Sequence, residues 1–156
     1  MTSVNSTIAV LGGTGKEGSG LAFRWAHAGR KVVLGSRSAD KAVAAAAELN
    51  ALLAGRSTIA GMDNLAAASA AAIVVLAVPF AAQRATALEV RQALQGKILI
   101  DVTVPLAPPR VDKVQLPEGG SAVALLQREL GAGVRVVSAF QNVSAVHLRD
   151  PQHRLD

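Results

Sequence analysis

The chain predicts a doubly wound parallel α/β fold on three observations. Near its start an apolar run, Ile8 to Leu11, breaks into closely spaced glycines and then into a helical pattern. After it, short apolar runs suited to buried strands alternate with segments of helical periodicity. The first strand, the first helix and a second strand, Lys31 to Gly35, together take about thirty residues, the length a right-handed parallel crossover needs.

The glycines carry the most information. Gly13, Gly15 and Gly18 satisfy G-x-G-x-x-G, with Thr14, Lys16 and Glu17 between them. In a dinucleotide-binding turn the first glycine permits the tight bend and the second lets backbone approach a pyrophosphate. The third lets the helix pack closely on its strand. The helix then offers the anion its unpaired N–H groups and the positive end of its dipole. A phosphate loop of the nucleoside-triphosphatase kind competes through Gly15-Lys16, but it fails twice. Val10 stands where its first glycine belongs, and Glu17 cannot supply the hydroxyl that holds magnesium. The expected unit is therefore a single Rossmann-type dinucleotide-binding domain over residues 1–156.

Along the chain, Leu21, Trp25 and Ala28 give the first helix an apolar face that ends at Gly29, with Trp25 expected in the core. Ser38 or Asp40 caps the next helix, in which Val43, Ala46, Leu49 and Leu53 form a stripe. Thr58 to Ala60 is a weak strand. A short helix, Leu65 to Ala70, leads to a strand at Ile73 to Val78 and a helix from Ala81 to Leu94. Ile98 to Val102 is a fifth strand. Pro105, Pro108, Pro109 and Pro117 then mark an irregular excursion. A helix bearing Val123, Leu126 and Leu130 precedes the last strand, Gly133 to Phe140.

Composition narrows the function. A 156-residue chain that is 51% hydrophobic can bury one ordinary core. Without cysteine it has no thiol catalysis, disulfide or thiolate metal site, and its three histidines show no metal-ligand spacing. Leu65 to Ala82 carries no charge, but Pro79 interrupts it and alanine dominates it, so a buried helix and strand are expected rather than a membrane span. The net charge of +5 is scattered and aromatic residues make up only 3%, which leaves no stacking platform for nucleic acid. An acidic small molecule suits that charge. Met1 to Ser6 lacks the basic and apolar regions of an export signal, and a cytoplasmic location is expected.

The second strand selects the dinucleotide. An NAD site ends this strand with a carboxylate for the ribose hydroxyls. Here Gly35-Ser36-Arg37-Ser38 follows, with Lys41 one turn into the helix. Two cations oppose the dipole of a helix start, yet they suit an anion. Ser36 can donate a hydrogen bond, Arg37 a planar fork and Lys41 a point charge to an adenosine 2′-phosphate, which favours NADP.

With these residues in view, the sequence resembles the F420-dependent NADP reductases nearly end to end. The resemblance is carried by Ala9-Val-Leu-Gly-Gly-Thr-Gly, Gly35-Ser-Arg with Lys41, Leu76-Ala-Val-Pro-Phe and Ser138-Ala-Phe-Gln-Asn-Val-Ser-Ala. The first two blocks are shared with other NADP-binding relatives, including the reductase domain of six-transmembrane metalloreductases; the last block is more selective. The resemblance implies hydride exchange between the nicotinamide C4 of NADP(H) and the deazaflavin C5 of coenzyme F420. It implies that Thr14, Gly15, Lys16 and Glu17 surround the pyrophosphate and that Ser36, Arg37 and Lys41 hold the 2′-phosphate. Phe80 is implied along the cofactor or, as an alternative, in the core. Arg84 is implied at the cofactor or its partner, and Leu106 and Ala145 near the nicotinamide or as packing. Such a transfer needs stacked rings in a dry pocket and no protein nucleophile or metal, so no catalytic acid or base is assigned. Asp101 is read as ending a strand and His147 as a surface residue. Family members continue beyond the last residue here, so the resemblance implies a deazaflavin side left open after His147 to Asp156, either in a partial polypeptide or in a chain that borrows the missing wall from a second subunit; a homodimer is expected. Two other functions stay open: an NADPH-binding sensor or assembly module without turnover, and reduction of a flavin or metal chelate.

Overall fold

The computed structural model describes residues 6–153. The stretch read as lacking an export signal therefore lies, apart from Ser6, outside the described residues, as do the last three positions of the run His147 to Asp156. A six-stranded sheet organises the fold, in the order β3-β2-β1-β4-β5-β6 and parallel throughout. Its strands are β1 (Ile8–Leu11), β2 (Val32–Ser36), β3 (Ile59–Asp63), β4 (Ile73–Leu76), β5 (Ile98–Asp101) and β6 (Arg135–Ser138). The helices are α1 (Lys16–His27), α2 (Ala39–Leu53), α3 (Asn64–Ala70), α4 (Phe80–Glu89), α5 (Ala122–Leu130) and α6 (Ala145–Leu148). The architecture is the expected doubly wound α/β sheet of Rossmann type, and strand order reverses between β1 and β4.

The two faces of the sheet follow the two-residue period of its strands. Ala9, Leu11, Val74 and Leu76 point to a core closed by α3, α4 and α5, where Ala67, Ala87, Leu126 and Leu130 are buried. Val10, Leu34 and Val75 point to the opposite core, closed by α1, α2 and α6. Strands buried on both faces read as unbroken apolar runs, as these do.

Several elements differ from their expected form. In α2 the buried stripe is Ala42, Ala46, Leu49 and Leu53, while Val43 is 54% exposed. The cause is close approach: a Cβ on Gly61 of β3 would stand 2.3 Å from the Ala42 carbonyl, so only a small residue fits between helix and strand. β3 runs on past Ala60 to Asp63 because β2 pairs with it along its whole length, ending at Ser36 opposite Asp63. Helix α4 stops at Glu89, and Val90 to Leu94 continue as tighter turns in which Arg91 N–H donates to Leu88 O and Leu94 N–H to Arg91 O, both at 3.2 Å. Trp25 is half-buried rather than in the core proper, its ring edge against Phe140 with centroids 5.8 Å apart. β6 is shorter than Gly133 to Phe140, and Phe140 itself takes a φ of 68°.

The segment after β6 does not trail away from the body. It forms α6, whose Leu148 is fully buried against α1. A Cβ on Gly20 would meet Leu148 Cβ at 2.5 Å, so the missing side chain makes the seat for Leu148. Arg149 donates to Ser19 Oγ at 2.6 Å and Arg24 donates to the His153 carbonyl. His147 is exposed and stacks on His153, as expected of a surface residue.

Candidate functional site

The loop after β1 is shaped by backbone proximity. Gly12, at φ 74°, makes the sharp bend, and a Cβ there would lie 2.6 Å from Ala77 O. The expected position for this bend is Gly13, one residue later. Gly13 instead packs: its N–H donates to Gly35 O at 3.1 Å, and a Cβ would meet Leu34 at 2.6 Å. Gly18 does the work assigned to the third glycine, since a Cβ on it would meet Gly12 O at 2.7 Å and push α1 off the loop. Gly15 is different. It is the N-cap of α1 and exposed, with its nearest obstruction, Gly12 O, at 3.4 Å. The protein leaves open space above it.

Beside this loop lies a cavity of about 520 Å³ at the C-terminal ends of β1, β2 and β4. Thr14 and Gly15 contribute to one wall and Ser36, Arg37 and Lys41 to another. Ala77, Val78, Pro79 and Ala82 supply an apolar side. Ser36 is buried and its Oγ accepts from Ser38 N–H at 3.3 Å, which fixes the turn leaving β2. Ser38, rather than Asp40, caps α2 and accepts from Lys41 N–H at 3.5 Å. Arg37 and Lys41 are exposed, and among the described residues neither takes part in an ion pair. Lys16 and Glu17 form the first turn of α1 outside this lining; burial pushes the half-buried Glu17 carboxyl above its usual range.

A smaller cavity, about 270 Å³, opens between α4 and α5 and is lined by Phe80, Gln83, Arg84, Leu125 and Glu129 among others. Phe80 and Arg84 thus fall in this cavity rather than in the larger one. The Arg84 Nε donates to both Glu129 oxygens, at 2.7 and 2.9 Å. Leu106, on the β5–α5 connection and 41% exposed, and Ala145, at the start of α6, line neither. Asp101 ends β5 as expected, but it is also fully buried: Gln83 donates to its Oδ2, and Thr103 N–H donates to Oδ1 at 2.9 Å. Its main-chain oxygen accepts from Gln141 at 2.8 Å. Sequence reasoning passed over Gly12, Gln83 and Asn64. For Asn64, its place just beyond a parallel strand, where ligands bind in such sheets, was the available signal.

A glycine turn leading into a helix, at the point where strand order reverses, defines the Rossmann-type dinucleotide-binding class. Within that class, the chain belongs to the family described as NADP oxidoreductase, coenzyme F420-dependent, which matches residues 7–105. It is 43% identical over 148 residues to an F420-dependent NADP reductase of Methanothermobacter marburgensis, covering 92% of this chain and 66% of that protein. It is 37% identical to the protein of that name from Methanocaldococcus jannaschii, covering 96% of this chain and 69% of the relative. The chain thus spans about two thirds of the length of these relatives. A crystal structure from Arthrobacter sp. FB24, provisionally described as an F420-dependent NADP reductase, superposes with a TM-score of 0.75 at 29% identity, over 94% of this chain and 68% of that one. A pyrroline-5-carboxylate reductase from Coxiella burnetii shares the fold at 20% identity and a TM-score of 0.61, over 86% of this chain and 43% of its own.

Proposed function

We propose that this chain binds NADP(H) and takes part in hydride exchange with coenzyme F420. One observation carries the reading: a single cavity joins the open-faced glycine turn to Ser36, Arg37 and Lys41, whose two cations have no carboxylate partner among the described residues. Such a set fits a dinucleotide bearing an extra phosphate. Family membership supports F420 as the second reactant. When bound, the nicotinamide gives or takes a hydride at C4 and the deazaflavin does so at C5.

The protein's part is placement. Thr14, Gly15, Lys16 and Glu17 surround the pyrophosphate, with Gly13 and Gly18 holding the loop behind them, and Ser36, Arg37 and Lys41 hold the 2′-phosphate. Leu106 and Ala145, which line neither cavity, are assigned to the nicotinamide side on the family resemblance alone. Pro79 lines the larger cavity and Phe80 and Arg84 the smaller one across α4; their assignment to the cofactor or its partner rests on the family resemblance. No side chain is assigned a proton to move. Residues 1–156 are proposed to act as one dinucleotide-binding unit, cytoplasmic and paired as a homodimer.

The deciding experiment mixes the protein with NADPH and F420 and follows F420 absorbance, beside a fluorescence titration of NADPH alone. Reduction of F420 is expected. Binding without reduction of F420, flavins or ferric chelates would make the chain a binding module; reduction of the flavin or chelate alone would name a different acceptor.

A further inference from the structure

Asn64 is the first residue of α3, directly after β3, and its neighbour Asp63 pairs in register with Ser36. It lines the same cavity as Ser36, Arg37 and Lys41. The residue is only 3% exposed, and its Oδ1 is enclosed with no hydrogen-bond partner among the described residues. Room for it exists because β2 has no side chain at this point: a Cβ on Gly35 would stand 2.9 Å from that oxygen. An enclosed amide oxygen left unpaired costs about 1–3 kcal/mol, and an apolar residue of similar size would avoid that cost. The fold alone gives no reason for an amide here.

We infer that Asn64 is a binding residue for the adenosine ribose of a 2′-phosphorylated adenine nucleotide, hydrogen-bonded to the 3′-hydroxyl. This rests on reading the cavity as an NADP(H) site. The 3′-hydroxyl lies on the carbon next to the one bearing the 2′-phosphate assigned to Ser36, Arg37 and Lys41. With the oxygen enclosed beside Gly35, the end of the carboxamide left for the cavity is Nδ2, whose N–H donates to the hydroxyl oxygen. Asn64 thereby reads the sugar while the cations read the phosphate. A ribose contact of this kind adds affinity for the adenosine half and none for the nicotinamide half.

The test titrates wild type, Asn64→Leu and Asn64→Ala with adenosine 2′,5′-bisphosphate and with its 3′-deoxy analogue, and records each melting temperature. In both variants, affinity for the bisphosphate is expected to fall about 5- to 20-fold, the effect of one lost hydrogen bond. The 3′-deoxy analogue is expected to bind wild type and variants alike, and Asn64→Leu is expected to melt no lower than wild type. Unchanged bisphosphate affinity in a folded variant overturns the inference, as does an equal loss for the 3′-deoxy analogue. Should Asn64→Leu fail to fold, Asn64→Ala carries the test, and failure of both makes Asn64 structural and overturns it too. A wild type that binds neither ligand overturns the NADP(H) reading itself, whereas binding that Asn64 does not influence overturns only this inference.

Discussion

Arg37 and Lys41 line the cavity around the start of α2, where the helix dipole works against positive charge, and among the described residues neither forms an ion pair, not even with Asp40 of the same first turn. An anionic ligand relieves that arrangement. Arg37→Ala is therefore expected to weaken NADPH binding by roughly 1.5–3 kcal/mol, the range for a hydrogen bond to a charged group, with little effect on NADH. Parallel fluorescence titrations read the difference, and equal losses would remove Arg37 from the 2′-phosphate. Gly15 separates binding from folding, because a Cβ there meets, among the described residues, only Gly12 O at 3.4 Å. Gly15→Val is expected to melt close to wild type and yet to lose both dinucleotides; retained affinity would displace the pyrophosphate from this loop. Glu17 adds a pH dependence. Its carboxyl is raised by burial, so the folded chain keeps this proton to higher pH than the unfolded chain does. Its contribution to stability is fully present below the ordinary value of 4.5 and is lost as pH rises through the raised folded value. Its charge also opposes a nearby pyrophosphate, so NADP⁺ affinity is expected to rise as pH falls through that range. In Glu17→Gln this increment disappears; calorimetric titrations of both proteins, taken as a ratio, cancel the titration of the 2′-phosphate itself.

At the scale of elements, legibility in the sequence tracks how local each cause is. The β1 turn is legible because glycines crowded directly behind a buried strand are seldom placed there for any purpose but a close backbone approach, although the bend falls on Gly12 rather than Gly13. The order and identity of β2, β4 and β5 are legible because strands buried on both faces are nearly continuous apolar runs. β3 is weak in isolation, since Ala60 and Gly61 have little strand preference, and its length comes from pairing with β2. The α2 stripe departs from its expected form at Val43 because the constraint is Gly61, on a different element. The two cavities are illegible for the same reason: Phe80 and Arg84 are close in sequence to Pro79 and Ala82 but open onto the other side of α4. Edge strand β6 depends on a comparable tertiary tie. Gln127 of α5 donates to Gly131 O and Val134 O, at 2.9 and 2.8 Å, and accepts from Val136 N–H at 2.9 Å. Gln127→Leu leaves Val134 O and Val136 N–H without their side-chain partner, while Gly131 O keeps Val134 N–H at 3.4 Å; it is expected to cost about 1–3 kcal/mol, with faster amide exchange at Val136. Unchanged exchange there would show that β6 is held by its pairing with β5 alone.

Across the whole molecule, the joint between Leu148 and Gly20 links the last described helix to the first. Leu148→Ala empties a fully buried site, for which about 2–5 kcal/mol is expected from lost contacts and the resulting cavity; chemical denaturation measures it. A loss below about 0.5 kcal/mol, the usual limit for surface substitutions, would mean that α6 rests on the body without supporting it. The joint also bears on how the protein is made. A ribosome delivers α1 after the first strand and α6 only after all six, so the groove at Gly20 stays uncovered while the whole sheet is being synthesised. Until Leu148 emerges, the helix whose first turn adjoins the larger cavity lacks its outer partner, and a nascent chain offers chaperones the apolar surface of α1. Emergence of α6, rather than formation of the glycine turn, is then the event that completes this face of the sheet.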